Sequence, residues 1–100
     1  MSIRLSSRLL NAVKQNLDKL GVNSIGDAVE IAVLEVVKDG VKVNDTAMPD
    51  EYVKADTVTS VLITPDVYLI LKAYAVANKV KVSHAIATAL YNYLHRRGVL

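Results

Sequence analysis

Cysteine is absent from this 100-residue chain, which excludes disulfide bonds, thiolate metal sites and a cysteine nucleophile. Histidine is scarce, since His84 and His95 are the only two, so a zinc site would have to take carboxylate ligands as well. No apolar run approaches the length of a membrane-spanning helix, and the first residues lack the apolar core of a signal peptide. We therefore expect a cytoplasmic protein without a metal, a cofactor or a membrane partner.

Sequence motifs of enzymes are also missing. The chain contains no P-loop, no G-x-G-x-x-G and no H-E-x-x-H, and its carboxylates are scattered without an evident catalytic pair. We expect no catalytic residue and no small-molecule substrate, and therefore a protein that is not an enzyme.

Hydrophobic residues make up 52% of the chain, which favours one folded domain over residues 1–100. The net charge of +2 is unevenly distributed. Residues 1–40 are neutral, residues 41–57 carry −2 and residues 58–100 carry +4. The last segment is basic enough to face an anion, whereas the whole chain is too weakly charged to bind polyanions by charge alone.

Residues 1–40 have the pattern of one strand followed by two helices. Polar and apolar residues alternate over 2–6, as in a half-buried strand, and Ser6 or Ser7 can cap the helix that follows. This helix is predicted to run for about 13 residues to Gly21. Its apolar positions are Leu9, Leu10, Val13, Leu17 and Leu20.

The second helix of this half is predicted from a cap at Asn23 or Ser24 to its end at Asp39-Gly40. Its predicted inner face consists of small and β-branched residues. These are Ala28, Val29, Ala32, Val33, Val36 and Val37.

Residues 58–100 repeat the order of strand, helix and helix. A strand is predicted over 58–63, and Thr64-Pro65 begins a helix that ends at Asn78-Lys79. Ser83 is the predicted cap of the last helix, which ends before Gly98. The predicted inner positions of these two helices are Val67, Tyr68, Leu71, Tyr74, Ala75, Ile86, Ala89, Leu90, Tyr93 and Leu94.

The two halves match at an almost constant offset, which indicates an internal repeat. The pair Leu9-Leu10 matches Val67-Tyr68, and Ala28-Val29 matches Ala85-Ile86 at an offset that is shorter by a single position. We therefore divide the chain into a first repeat at 1–40, an acidic linker at 41–57 and a second repeat at 58–100. Residues 41–43 of the linker could add a short strand.

Neither half can stand alone, because a single strand leaves its backbone groups unpaired and about 40 residues bury too little surface. Pairing the two strands antiparallel over the four helices solves both problems. In that arrangement Ile3 and Leu5 are predicted to meet Val61 and Ile63 on the inner side. The predicted fold is mainly α, with a pseudo-two-fold, two-stranded ribbon on a four-helix core.

This order and the pattern of the last helix, Ser83-His84-Ala85-Ile86 through Tyr93-Leu94, resemble ribbon–helix–helix DNA-binding proteins. The segments Arg4–Leu10 and Asp27–Val33 carry the same resemblance in the first half. It covers about 80 of the 100 residues. Two copies in one chain are similar to the tandem members of this family, known among other places from viruses of hot-spring archaea.

The resemblance implies that the ribbon lies in the DNA major groove, with its outward side chains contacting base edges. The outward positions are Ser2, Arg4, Ser60 and Leu62, with Val58 as a further candidate. Arg4 could donate two hydrogen bonds to a guanine, whereas Leu62 could contact only apolar surface such as a thymine methyl. A slip of one residue in the second strand would instead turn Thr59, Val61 and Ile63 outward.

The resemblance also implies that the start of each second helix holds a phosphate on its free backbone N–H groups. The candidates are Asn23, Ser24 and Ile25 in the first half, and Ser83, His84, Lys79 and Lys81, with Val82, in the second. We expect a transcriptional regulator, a repressor, that binds double-stranded DNA at an asymmetric operator and can associate side by side on it. The alternative is a degenerate copy of the fold that binds a protein, in the manner of an antitoxin, and no longer binds DNA.

Overall fold

The N-terminal strand forms where the alternation predicts it. The computed structural model describes residues 1–100, and β1 spans Ser2–Leu5. Its inner residues Ile3 and Leu5 are buried, whereas Ser2 and Arg4 are exposed. Ser6 caps α1 (Ser7–Lys14), because its Oγ accepts hydrogen bonds from the backbone N–H groups of the first turn.

The prediction of one continuous helix up to Gly21 is wrong. The chain forms α1 and a short α2 (Leu17–Leu20), separated at Gln15 and Asn16. The Asn16 side-chain amide donates to the Ala12 carbonyl at 2.7 Å, and its backbone N–H donates to Val13 instead. The Asn16 side chain thus occupies the Ala12 carbonyl, to which the Asn16 backbone N–H would donate if the helix continued.

The second helix of the first half, α3, spans Ile25–Lys38 and is capped by Ser24. Its predicted inner face is buried except for Val37, which is exposed, so the prediction for this residue is wrong. Val37 lies outside the buried arc, on the side that faces the later helix Pro65–Ala77. After the helix, Gly40 has a φ of 65°, a conformation that glycine adopts without strain.

The linker forms a 3₁₀ turn at Val43–Asp45 and a short helix, α4 (Asp50–Val53). The strand considered for residues 41–43 does not form. The Val43 N–H instead donates to Asn78 Oδ1 at 2.9 Å, at the end of a helix of the second half. No sequence pattern indicated α4.

The second strand, β2 (Thr57–Ser60), pairs antiparallel with β1 and is shorter than predicted. Its register places Ile3 opposite Thr59 and Leu5 opposite Thr57. The predicted contacts of Ile3 and Leu5 with Val61 and Ile63 are therefore wrong as strand partners. Val61 faces Met1, with which it exchanges two backbone hydrogen bonds.

The second half continues with α5 (Pro65–Ala77) and α6 (Val82–Arg96). Thr64 caps α5, and Pro65 is its first residue, as predicted. Ser83 does not cap α6, because that helix begins at Val82, two residues earlier than a cap at Ser83 requires, and has no side-chain cap.

The molecule is mainly helical, with one two-stranded antiparallel sheet lying against the helices. The helices α3 and α6 make the most extensive helix–helix contact, and 24 buried hydrophobic residues form one core. The expected radius of gyration of about 13 Å compares with 12.0 Å in the structure. No helix is long and apolar enough to cross a bilayer.

The C-terminal end of α6 is tied to the end of α3 by two ion pairs. Arg97 donates to both carboxylate oxygens of Glu35, at 3.0 and 2.7 Å, and its guanidinium stacks on the Tyr93 ring. Arg96 forms a second ion pair with Asp39. These pairs hold together residues that are far apart in the sequence.

Candidate nucleic-acid interface

The outward face of the ribbon carries the predicted base-contacting residues. Ser2 lies directly opposite Ser60, and Arg4 lies opposite Val58. All four side chains are exposed, and Leu62, just beyond β2, is 90% exposed. Leu62 is therefore not covered by the linker.

The alternative register, slipped by one residue, is not the one that forms. It would turn Val61 outward, but Val61 is buried and Thr59 is half-buried. The side-chain period of two along a strand fixes the outward set once Ile3 and Leu5 are in the core.

The start of α6 brings together the predicted phosphate-binding residues of the second half. Lys79, Lys81, Ser83 and His84 line one cleft of about 400 Å³. The backbone N–H groups of Val82, Ser83 and His84 make no hydrogen bond, and the first turn contains no acidic residue. Unpaired N–H groups, the positive end of the helix dipole and two lysines together favour an anion.

Lys79 adopts a left-handed backbone conformation, with a φ of 57°. The other three positive-φ residues of the chain are glycines: Gly21, Gly40 and Gly98. A side chain costs about 1–2 kcal/mol in this conformation, which glycine avoids. Lys79 thus occupies a position whose backbone conformation favours glycine.

The start of α3 differs from the start of α6. The Ser24 Oγ accepts from the Asp27 N–H at 3.1 Å, and the Asp27 carboxylate accepts from the Asn23 N–H at 3.2 Å. Asn23 and Ser24 are exposed and Ile25 is half-buried. An internal carboxylate therefore already occupies part of this helix start, and its charge opposes the approach of a phosphate.

Both helix starts lie beside the ribbon. Arg4 and Ser83 line one shallow groove that also includes Ser2. On the other side, Gly26 packs against the backbone of Leu62 so closely that a Cβ at position 26 would overlap the Leu62 carbonyl oxygen. One face of the molecule therefore presents the outward ribbon residues between the starts of α3 and α6.

The linker contributes to this end of the molecule through Asp56. Its carboxylate accepts a hydrogen bond from the Ser7 N–H at 2.8 Å, at the start of α1. This backbone hydrogen bond holds the pKa of Asp56 below its ordinary value, because it favours the charged carboxylate.

Three features of this face were not predicted from the sequence: Asp27 at the start of α3, the Gly26–Leu62 contact and the Asp56 cap. The pattern Ser24-x-x-Asp27 is a signal that could have revealed the first, since an acidic residue three positions after a serine cap is typical of a helix start. The other two join residues that are distant in sequence. No group of three or more His, Asp or Glu side chains is placed to hold a metal ion.

Comparison with protein-family models, with curated proteins and with solved structures gives no match for this chain. Its function must therefore be argued from the residues of this face.

Proposed function

We propose that this chain is a single-chain ribbon–helix–helix protein that binds duplex DNA through the β1–β2 ribbon and acts as a transcriptional repressor. The observation that carries the proposal is the exposed Arg4 on the ribbon, flanked by two helix starts on the same face. A two-stranded ribbon has the dimensions to enter the major groove, and helix starts on either side can hold the backbone.

The strand register supports a pseudo-two-fold relation between repeats 1–40 and 58–100. A two-fold axis through the ribbon must pass between two equivalent residues. Ser2 pairs with Ser60, and the offset between these two serines equals the offset between the first helices of the two halves. The same offset makes Arg4 and Leu62 equivalent, one on each side of the axis.

This equivalence predicts an asymmetric operator. Arg4 can donate two hydrogen bonds to a guanine in one half-site, whereas Leu62 can make only apolar contact in the other. The phosphate contacts are unequal as well, because the start of α6 has two neighbouring lysines and the start of α3 has Asp27. Covalent linkage lets the two half-sites be recognised differently without mixing of chains.

The test is selection of bound sequences from random duplex DNA, with the wild type and Arg4→Ala in parallel. We expect a short asymmetric motif in which Arg4→Ala loses preference at one guanine, a discrimination worth about 1–3 kcal/mol. The matched control is Lys14→Ala, which removes one positive charge from the far end of α1 and should leave the motif unchanged. A palindromic motif would contradict the asymmetry, and no enrichment at low salt would overturn the proposal.

One observation favours a second candidate function, binding to a protein partner. Val58, which pairs with Arg4, is 59% exposed, and Leu62, beyond the other end of β2, is exposed as well, so the outward face is partly apolar. If this face binds a protein, Leu62→Asp should abolish complex formation while Arg4→Ala has little effect. The two functions differ in salt dependence, because DNA affinity falls steeply as phosphate contacts are screened.

A further inference from the structure

The outer face of α5 is apolar and uncovered. Leu69 and Val76, one above the other, are 64% and 75% exposed. Lys72 lies at the edge of this face and turns away from it, with its ammonium 5.5 Å from the centre of the Tyr68 ring. An apolar helix face is normally buried, so this one lacks a partner. The exposed alanines beside it are Ala73 and Ala77.

A groove follows this face along the contact between α5 and α3. Its walls are formed by Val37 and Gly40 on one side and by Ile70, Ala73 and Ala77 on the other, around a volume of about 440 Å³. The alanines and the glycine leave the space of the groove because their side chains are small or absent. The Leu69–Val76 pair forms a ridge next to it. A ridge beside a groove is the geometry with which helices pack against each other.

The linker does not cover this groove: Val41 and Lys42 form one end of it, and the later part of the linker packs on the other side of the molecule. Its residues contact α1 and α6: the Ser6 Oγ donates to the Glu51 carbonyl at 2.6 Å, and Tyr52 packs on Tyr91. The first half has no such ridge, because the offset that relates the first helices places polar residues there. The equivalents of Leu69 and Val76 are Asn11 and Asp18.

The charges at the two ends of the groove are opposite in sign. The helices α3 and α5 run in the same general direction. The Glu30 carboxylate of α3 accepts a hydrogen bond from the Thr64 N–H at the start of α5. The Val41 carbonyl, which follows α3, accepts one from the Tyr74 hydroxyl near the end of α5. The surface is therefore complementary in charge to a second copy of itself that is rotated by 180°. The acidic residues at the first end are Glu30 and Asp66, and the basic residues at the second are Lys38 and Lys42.

We propose that this groove, between α3 and α5, binds a second copy of the same chain through an antiparallel, two-fold contact. The Leu69–Val76 ridge of each copy packs into the groove of the other. Asp66 of one copy then meets Lys42 of the other at both ends, as an isologous interface requires. Ala73, midway along the face, lies next to its own equivalent in the partner copy. This interface does not depend on DNA binding.

The first test is sedimentation equilibrium of the whole chain without DNA, over a wide range of concentration. We expect a monomer–dimer equilibrium whose dissociation constant rises about tenfold or more in Val76→Asp, because a charge is then buried in the contact. The matched control is Val53→Asp, which places the same charge on an exposed valine of the linker and should leave the equilibrium unchanged. A wild type that stays monomeric, or a dimer that Val76→Asp does not weaken, overturns the proposal.

The second test uses the absence of native cysteine. Under oxidising conditions Ala73→Cys should form a disulfide-linked dimer, since the two-fold axis brings the two copies of residue 73 together. Gln15→Cys, at the exposed equivalent position of the first half, should cross-link much more slowly. Equal cross-linking of the two variants would overturn the arrangement.

The third test exchanges the end charges. Asp66→Lys and Lys42→Asp should each weaken the dimer, because each places like charges opposite one another at both ends of the contact. An equimolar mixture of the two variants should form a heterodimer in which one end carries the original charge signs and the other the reversed ones, so that no like charges meet. Failure of the mixture to recover the affinity, with both variants folded by circular dichroism, would contradict the antiparallel contact.

Discussion

Arg4 lies directly across the ribbon from Val58, so at this pair the outward face is charged on one strand and apolar on the other. Under the proposed pseudo-two-fold relation, the equivalent of Arg4 is Leu62, which is also apolar and exposed. This asymmetry leads to a gain-of-function prediction. Leu62→Arg should raise DNA affinity and shift the selected motif toward a palindrome, because both half-sites then meet an arginine. Unchanged symmetry of the motif would show that position 62 lies outside the groove.

Lys79 offers a test of the proposed phosphate contact that is separate from folding. Lys79→Gly removes the charge but places glycine at a φ of 57°, so the free energy of unfolding should stay within about 1 kcal/mol of wild type or rise. DNA affinity should fall equally for all sequences, and the slope of log affinity against log salt should decrease by about 1. Urea unfolding and binding titrations at several salt concentrations measure both effects. A fall confined to one sequence would instead indicate base contact.

Gly26 is required by the close approach of the Leu62 backbone to the start of α3. Gly26→Ala should lower the free energy of unfolding by about 1–3 kcal/mol, because a backbone carbonyl cannot move aside as a flexible side chain can. Chemical unfolding measures the loss. Asn23→Ala, at an exposed site just before the same helix, is the control and should cost less. Stability equal to wild type would show that the strand end is free to shift.

The stability of the protein should depend on Asp56 in acid. Its pKa is held down in the folded state by the Ser7 N–H, so its stabilisation is complete above its ordinary pKa of 3.8. The stabilisation is lost as the pH falls through the lowered, folded-state value. At neutral pH, Asp56→Asn should therefore melt at a lower temperature than wild type, and the difference should narrow below pH 3.8. A difference that stays constant with pH would rule out the charged cap.

The bidentate pair of Glu35 and Arg97 should contribute through geometry as well as charge. Arg97→Lys keeps the charge but loses the second hydrogen bond and the stacking on Tyr93. We expect it to recover only part of the stability that Arg97→Ala loses. A double-mutant cycle with Glu35→Gln measures the coupling, which should be about 1 kcal/mol for a partly exposed pair. Full recovery by lysine would mean that the charge alone acts.

The sequence by itself determined most of the elements and their inner faces. Alternation placed Ile3 and Leu5 inward, and Thr64-Pro65 marked the start of α5, because both signals depend on neighbouring residues alone. The break at Asn16 is also local, but it depends on which acceptor a side chain takes. Helical spacing by itself cannot reveal that choice.

The contacts between residues that are distant in the sequence were decided only by the tertiary structure. The register opposing Ser2 to Ser60, the Gly26–Leu62 approach and the linker's packing on α1 and α6 each involve residues that lie far apart in the sequence. Val37 matched the core pattern, yet it is exposed because nothing covers the groove between α3 and α5. A periodic pattern identifies the apolar face of a helix, whereas the extent to which that face is buried depends on what packs against it.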